Sequence, residues 1–153
     1  MNSSEPHMNR VVLADDDPDH GILFKIVLQK VDPGKSLTIV RDGAALLELL
    51  SRQVPDLLFL DLNMPCKNGY ECIQEIRQNA ELQNLPIVVY TSSAQMTDIQ
   101  KSYIHKADLY MVKPFNSSHL QNALESILTI DWRKKYPSQK YYFINNRFVP
   151  FTA

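Results

Sequence analysis

The sequence predicts an α/β fold in which a parallel sheet is covered by helices on both faces. Five short apolar runs recur along the chain, and each is followed by a longer segment with helical periodicity. Strands that alternate with helices in this way form parallel sheets, because a parallel connection needs a long crossover. The 153 residues are 44% hydrophobic and 22% charged, which is typical of one globular domain.

The five predicted strands are too short to be helices, and most are rich in β-branched or aromatic residues. Runs of this kind suit strands that are buried on both faces of a sheet. They are Val11–Ala14, Ser36–Val40, Leu57–Leu60, Ile87–Tyr90 and Leu109–Val112.

The predicted helices follow these strands and complete a (βα)5 pattern. Their apolar residues recur mostly at three- and four-residue spacing, as one buried helical face requires. Asp42 precedes the second helix and is a good N-cap residue. The five segments are 19–31, 43–52, 69–80, 95–105 and 118–128.

Residues 131–153 differ in character from the rest of the chain. They hold half of the aromatic residues, and five basic residues against one acidic residue. The run YYFI-NN-RFV predicts a hairpin, because Asn145–Asn146 tolerates the positive φ of a tight turn. Two interpretations stay open: a tail packed on its own domain, which we favour, and an arm for dimerisation or partner docking.

Composition and charge exclude several classes of protein. The apolar runs are too short for a membrane-spanning helix, and no long basic stripe crosses the main body, so neither a membrane nor a nucleic acid is an expected partner. The N-terminal residues MNSSEPHMNR contain no hydrophobic signal segment, and two cysteines cannot form a disulfide framework. A cytoplasmic location is therefore expected.

Polar residues follow four of the five predicted strands. Because the carboxyl ends of parallel strands meet at one edge of the sheet, we expect these side chains to lie together. They are Asp15, Asp16 and Asp17 after the first strand, Asp61 after the third, Thr91 at the end of the fourth and Lys113 after the fifth.

The residue types in this set suit one reaction. Converging carboxylates repel each other, and Mg²⁺ relieves that repulsion because it takes hard oxygen ligands. Asp61 could then attack phosphorus as a nucleophile, while Lys113 and Thr91 neutralise the phosphoryl oxygens. A lone aspartate after a strand is most often only an N-cap, but the joint occurrence at four strand ends predicts an aspartyl phosphate.

Four motifs surround these residues in order, VVLADDDPD, DLLFLDLNMPCKNGYE, PIVVYTSSA and LYMVKPF, and VRDGAALL adds a fifth. Through them the sequence resembles the receiver domain of two-component response regulators over about residues 9–130. The resemblance implies a flavodoxin-like fold with strand order 2-1-3-4-5. It leaves residues 131–153 as a C-terminal extension, too short for a separate output domain.

The resemblance also implies a role for each acidic residue. Asp61 is expected to be the phosphoacceptor. Asp15 and Asp16 are expected to hold Mg²⁺ together with Asp61, with Asp16 the more direct ligand of the pair, and Asn63 to offer its backbone carbonyl. Asp17 is expected to start a helix or to support the site from behind.

The remaining implied roles concern the response to phosphate. Thr91 and Lys113 resemble the switch hydroxyl and the phosphate-binding lysine, and Tyr110 resembles the aromatic residue that turns inward when Thr91 moves. The peptide bond between Lys113 and Pro114 is expected to be cis. Ser93, together with Asn63, is expected to set the lifetime of the phosphoryl group.

Two features stand outside these roles. Lys106–Ala107 stands where the family commonly has Gly-Ala, so an altered turn after the fourth helix is expected. The four histidines show no spacing typical of metal ligands and are expected on the surface: His7, His20, His105 and His119.

The implied function is that of a stand-alone response regulator rather than of an enzyme with a substrate of its own. A histidine kinase or phosphotransfer protein would donate the phosphoryl group, and an output protein would bind the face of helix four, strand five and helix five. Two alternatives are a docking or dimerisation module without phosphorylation and a phosphohydrolase. Asn63 argues against the second, because such an enzyme is expected to have an acid at that position. The kinase, the pathway and a homodimer are left open.

Overall fold

The computed structural model describes residues 9–114, 116–132 and 140–151. In these ranges the chain forms five helices and one seven-stranded sheet. The strands are β1 (Arg10–Ala14), β2 (Ser36–Val40), β3 (Leu57–Leu60), β4 (Ile87–Thr91), β5 (Leu109–Val112), β6 (Lys140–Ile144) and β7 (Arg147–Phe151). The helices are α1 (Pro18–Val31), α2 (Gly43–Arg52), α3 (Gly69–Gln78), α4 (Met96–Ile104) and α5 (Ser117–Leu128).

The sheet has the order β2-β1-β3-β4-β5-β6-β7. Its first five strands are parallel, which confirms the predicted order 2-1-3-4-5. The central strands β1, β3 and β4 are almost wholly buried, as their apolar sequences predict. β2 is an edge strand and only partly covered, so the expectation of burial on both faces does not hold for it.

Two apolar cores lie on opposite faces of the sheet, since neighbouring residues of a strand point to opposite sides. Helices α2, α3 and α4 cover one core, which contains Leu46, Ile73 and Ile99. Helices α1 and α5 cover the other, which contains Phe24 and Leu124. The covered faces leave the ends of the strands accessible for a polar site.

Side-chain caps fix the beginnings of the first three helices. Asp17 accepts from the Asp19 N–H and caps α1, as its expected place at a helix start suggested. Asp42 accepts from the Ala45 N–H at 2.7 Å and caps α2. Asn68 caps α3 in a reciprocal capping box with Glu71.

The turn after α4 has a left-handed backbone at a residue that is not glycine. Lys106 has φ 75°, a conformation that costs a side-chain-bearing residue about 1–2 kcal/mol. Its carbonyl accepts from Arg77 Nε at 3.0 Å, and the same guanidinium ion-pairs with Asp108 at 2.9 Å. Lys106 therefore adopts a left-handed conformation in this turn, and a side chain from α3 supports it.

The aromatic extension contains the predicted hairpin and adds it to the sheet. Asn145 and Asn146 have φ 51° and 65°, which are the paired positive values of a type I′ turn. β6 pairs in parallel with β5, at Tyr110 opposite Tyr142. The sheet therefore has seven strands rather than five, and the outer edge of β5 is covered.

The new edge strand β7 contains a proline. Pairs alternate between hydrogen-bonded and non-hydrogen-bonded along an antiparallel ladder. Counted from the turn, Tyr141–Pro150 is a non-hydrogen-bonded pair, so the nitrogen of Pro150 faces outward. Proline has no N–H, and this open edge therefore lacks one donor that a further strand would need.

No helix in the described ranges is long and apolar enough to cross a membrane.

Candidate phosphoacceptor site

The sheet places the predicted polar residues just beyond its strands, and the ladder of backbone hydrogen bonds continues through them. The Asp61 N–H donates to the Ala14 carbonyl at 2.9 Å, and the Lys113 N–H to the Thr91 carbonyl at 2.7 Å. The Asp15 N–H likewise donates to the Val40 carbonyl at 3.0 Å. The backbone of each of these residues is therefore held by the same kind of hydrogen bond that pairs the strands.

Three carboxylates meet at this edge. Oxygen atoms of Asp15, Asp16 and Asp61 lie within 4.8 Å of one another. Asp15 and Asp61 are buried, whereas Asp16 is exposed. Burial raises the pKa of Asp61 above its ordinary value, although the Lys113 ammonium acts in the opposite direction.

Lys113 supplies the positive charge of the site. Its Nζ lies 3.0 Å from Asp61 Oδ2 and 2.7 Å from Asp15 Oδ2. Only 10% of the side chain is exposed, so this ammonium is held inside the site rather than in solvent. It stands where it could contact a group attached to Asp61.

Thr91 ends β4, the strand next to β3, and Tyr110 lies on β5, one strand further along the sheet. The Thr91 side chain is fully buried, and its Oγ1 has no hydrogen-bond partner among the described residues. Tyr110 is also fully buried and donates its hydroxyl to the Ser93 carbonyl at 2.8 Å. Burial raises the pKa of Tyr110 to about 12, so the hydroxyl remains a donor at neutral pH.

A hydrogen-bonded link joins the loop after β4 to α3. Asp98 in the first turn of α4 accepts from Ser93 Oγ at 2.6 Å and from the Tyr70 hydroxyl at 2.8 Å. Because Ser93 also accepts from Tyr110, one set of hydrogen bonds runs from the buried tyrosine to the start of α3. We call Tyr70, Ser93 and Asp98 the α3–α4 link.

The loop after Asp61 is shaped by a close backbone approach at Gly69. A Cβ on Gly69 would lie 2.6 Å from the Asp61 carbonyl oxygen and 2.8 Å from Leu62 Cα, which no side chain can tolerate. Glycine therefore lets α3 begin directly against the residue that bears the central carboxylate. The loop also positions the Asn63 N–H, which donates to Asp61 Oδ1 at 3.3 Å.

His20 also lies at this site, although sequence reasoning placed it among surface residues. Its Nδ1 is 2.9 Å from Lys113 Nζ, and 42% of its side chain is exposed. The available signal was its position in the first turn of α1, three residues after the cap Asp17. A side chain there projects over the end of β1, but spacing alone does not identify what it meets.

The expected cis bond before Pro114 is wrong for this structure. No cis peptide bond occurs in the described ranges, which include Lys113 and Pro114. The trans isomer is favoured for X–Pro bonds by about 0.5–1 kcal/mol, and the Lys113 ammonium reaches Asp61 without the cis form. His7, which was expected on the surface, lies outside the described residues.

The carboxylate cluster fits a divalent cation. Three carboxylates offer hard oxygen atoms within 4.8 Å, and Mg²⁺ prefers such ligands to nitrogen or sulfur. Asp15, Asp16 and Asp61 are the residues that would hold it. An ion there would offset the mutual repulsion of the carboxylates.

The fold and site together define a class of signalling module built on a doubly wound sheet with a buried aspartate at its carboxyl edge. Residues 11–125 match the family model of the response regulator receiver domain. The chain belongs to this family, whose members receive phosphoryl groups in two-component signalling.

Individual relatives agree with this assignment. The chain is 33% identical over 124 residues to the response regulator Rcp1 of Synechocystis sp., covering 76% of this chain and 84% of Rcp1. The Mn²⁺-bound crystal structure of Rcp1 superposes with a TM-score of 0.70 at 32% identity, over 78% of this chain and 91% of Rcp1. The phosphorylated cyanobacterial phytochrome response regulator RcpA gives a TM-score of 0.73 at 29% identity, over 79% and 91% of the two chains. The hairpin of β6 and β7 lies outside the residues that the family model matches.

Proposed function

We propose that this chain is a response regulator receiver that accepts a phosphoryl group on Asp61 and signals by phosphorylation-dependent protein binding. One observation carries the proposal: the Lys113 ammonium lies 3.0 Å from the Asp61 carboxylate, inside a cluster of three carboxylates. The phosphoryl donor would be a histidine kinase or a phosphotransfer protein. The solved forms of RcpA and Rcp1, one phosphorylated and one bound to Mn²⁺, support the same chemistry here.

In this reaction a carboxylate oxygen of Asp61 forms a bond to phosphorus while the bond from phosphorus to the donor nitrogen breaks. Lys113 stabilises the negative charge on the phosphoryl oxygens, and the buried Thr91 hydroxyl is available to donate to one of them. Mg²⁺ bound by the carboxylates would neutralise further charge. The chain supplies positioning and electrostatics, while the energy comes from the donor.

The signal would pass through Thr91 and Tyr110. Tyr110 is already buried in this structure, so a phosphoryl group that attracts the Thr91 hydroxyl would further stabilise this buried state, and an output protein that prefers the state would shift the population further. Because β6 covers the edge of β5, the partner would meet α4, the hairpin and α5 rather than a bare strand. This refines the surface expected from the sequence.

The lifetime of the phosphoryl group would depend on Asn63 and Ser93. Asn63 follows Asp61 by two positions and donates its N–H to the carboxylate. The Ser93 hydroxyl donates to Asp98, so its orientation is fixed by the α3–α4 link. We expect substitutions at these two positions to change the rate of dephosphorylation more than the fold.

The test is the mass of the intact protein after incubation with acetyl phosphate, with and without Mg²⁺. The wild type should gain one phosphoryl group only when Mg²⁺ is present, and Asp61→Asn should gain none. Asp56→Asn is the matched control, because Asp56 lies at the opposite end of β3 and should label like the wild type.

Other outcomes point to the alternatives. A folded wild type that gains no adduct would overturn the proposal and favour a docking module that works without phosphorylation. Continuous release of phosphate from many esters would favour a phosphohydrolase instead. An adduct that persists in Asp61→Asn would place the acceptor elsewhere.

A further inference from the structure

His20 and Lys113 meet at the phosphoacceptor site, although one lies on α1 and the other after β5. His20 Nδ1 is 2.9 Å from Lys113 Nζ. This is hydrogen-bond distance, and it joins residues 93 positions apart in the chain. The contact is therefore a product of the fold rather than of local sequence.

The contact gives the ammonium a second hydrogen-bond partner beside Asp61. A lysine ammonium has three N–H donors and no acceptor. In this site the ammonium hydrogen-bonds Asp61 Oδ2 at 3.0 Å and lies 2.9 Å from His20 Nδ1, while Asp15 Oδ2, 2.7 Å away, is an ion-pair partner without a hydrogen bond. His20 therefore adds an acceptor for the ammonium without adding a further negative charge.

The geometry also selects the tautomer of His20. Lys113 can only donate, so Nδ1 must accept and the ring proton must sit on Nε2. Nε2 faces Asp17 Oδ2 at 3.4 Å, and this carboxylate favours a proton on that nitrogen. Asp15 Oδ2 also lies 3.4 Å from Nδ1, but a proton on Nδ1 would point at the ammonium hydrogens and repel them.

We propose that His20 is a positioning residue that holds Lys113 at the acceptor carboxylate, with Asp17 fixing the imidazole. This inference rests on the proposed function and adds a residue to it. When a phosphoryl oxygen takes up one of the three donors of Lys113, His20 would keep a second donor engaged. The ammonium then stays oriented while its contact with Asp61 changes.

The first experiment measures the rate of phosphorylation by acetyl phosphate in Mg²⁺. His20→Leu keeps a side chain of similar size but removes the Nδ1 acceptor. It should slow phosphorylation about tenfold, the effect of losing one charge-assisted hydrogen bond. His20→Asn places an amide oxygen near the position of Nδ1 and should restore most of the rate. His119→Leu, on the first turn of α5, is the matched control and should react like the wild type.

The same rates in a Lys113→Ala background test whether His20 acts through the lysine. There His20→Leu should change the rate less than about twofold, because the group it positions is absent. A tenfold loss in that background as well, or no loss in either background, would overturn the proposal. So would His20→Asn behaving like His20→Leu.

A second measurement does not depend on phosphorylation. The ¹⁵N chemical shifts of the imidazole in the labelled full chain should show a proton on Nε2 and an accepting Nδ1, with the Nδ1 shift changing in Lys113→Ala. A proton on Nδ1 would contradict the proposal even if Asp61 labels normally. If the protein fails to label but His20 has the expected tautomer, the proposed function fails while the contact between His20 and Lys113 stands.

Discussion

At the scale of single residues, the site holds two buried carboxylates beside one ammonium. Asp61 is only 6% exposed, and Asp15 1% exposed, yet both face one ammonium. The charged form of a carboxylate is costly in such surroundings unless a cation or hydrogen bonds offset the loss of hydration. Asp61 is therefore held in a state that a further cation would relieve.

Asp61→Asn should raise the free energy of unfolding by about 1 kcal/mol at pH 7. Burial raises the pKa of Asp61 in the folded protein, so folding favours the protonated carboxyl and the ionised form lowers stability at neutral pH. The advantage of the asparagine should shrink as the pH falls through the raised pKa. Urea unfolding of both proteins at several pH values without Mg²⁺ measures it.

The control for this prediction is Asp56→Asn, which changes the same residue type at the other end of β3. Asp56 accepts from the Arg10 N–H at 2.9 Å, so its substitution should not stabilise the protein. Equal stabilities of wild type and Asp61→Asn at pH 7 would contradict the account of the buried charge.

At the scale of elements, the α3–α4 link connects helix α3, helix α4 and the loop after β4 through side-chain hydrogen bonds. Asp98 accepts from Tyr70 on α3 and from Ser93 in the loop after β4. Burial and the hydrogen bond to Asp98 both raise the pKa of Tyr70, so its hydroxyl remains a donor at neutral pH. Movement of that loop must therefore alter how α3 and α4 are held together.

Tyr70→Phe should weaken this link and lower the free energy of unfolding by about 1 kcal/mol, since it removes a hydrogen bond to a carboxylate. Hydrogen exchange of the α4 amides should be faster in Tyr70→Phe than in the wild type, whereas exchange of the α1 amides in the same sample should not change. Ser93→Ala removes the other hydrogen bond to the same Asp98 carboxylate, so the effects of the two substitutions on the free energy of unfolding should be non-additive. Unchanged exchange in α4, or strict additivity, would show that the link is not shared.

Element positions were largely predictable because their signals are local. The segment 43–52 was predicted from its apolar spacing and the cap Asp42, and α2 has those bounds. α3 ends at Gln78 rather than residue 80, because the Asn79 side chain accepts from the Glu81 N–H and starts a turn. His20 was missed for the opposite reason, since its partner lies 93 residues away and no periodicity encodes that meeting.

At the scale of the whole molecule, the hairpin contributes to both cores at once. Phe143 is 3% exposed in the core under α1 and α5, whereas Phe151 packs beside Tyr103 on the face of α4. A hairpin was predictable from Asn145–Asn146, but its place beside β5 was not. That placement depends on pairing between Tyr142 and Tyr110, which the hairpin sequence alone does not specify.

Phe143→Ala should lower the free energy of unfolding by about 3 kcal/mol, because it leaves a cavity between β5 and α5. Phe148 contacts Phe143 edge to face at 5.1 Å but is 39% exposed, so Phe148→Ala is a matched control that should cost about 1 kcal/mol. Urea unfolding gives both values. Equal losses would mean that the hairpin does not share the core of the sheet.

The proline on β7 has a consequence for how copies of the chain could associate. A sheet with two competent edges can grow by repeated addition into an open fibre, whereas a sheet with one competent edge can at most pair with a single copy of itself. Pro150 weakens growth from the hairpin side, which leaves β2 as the edge with a full set of backbone donors. Pairing of two copies through their strands is therefore expected to use β2 rather than the hairpin edge.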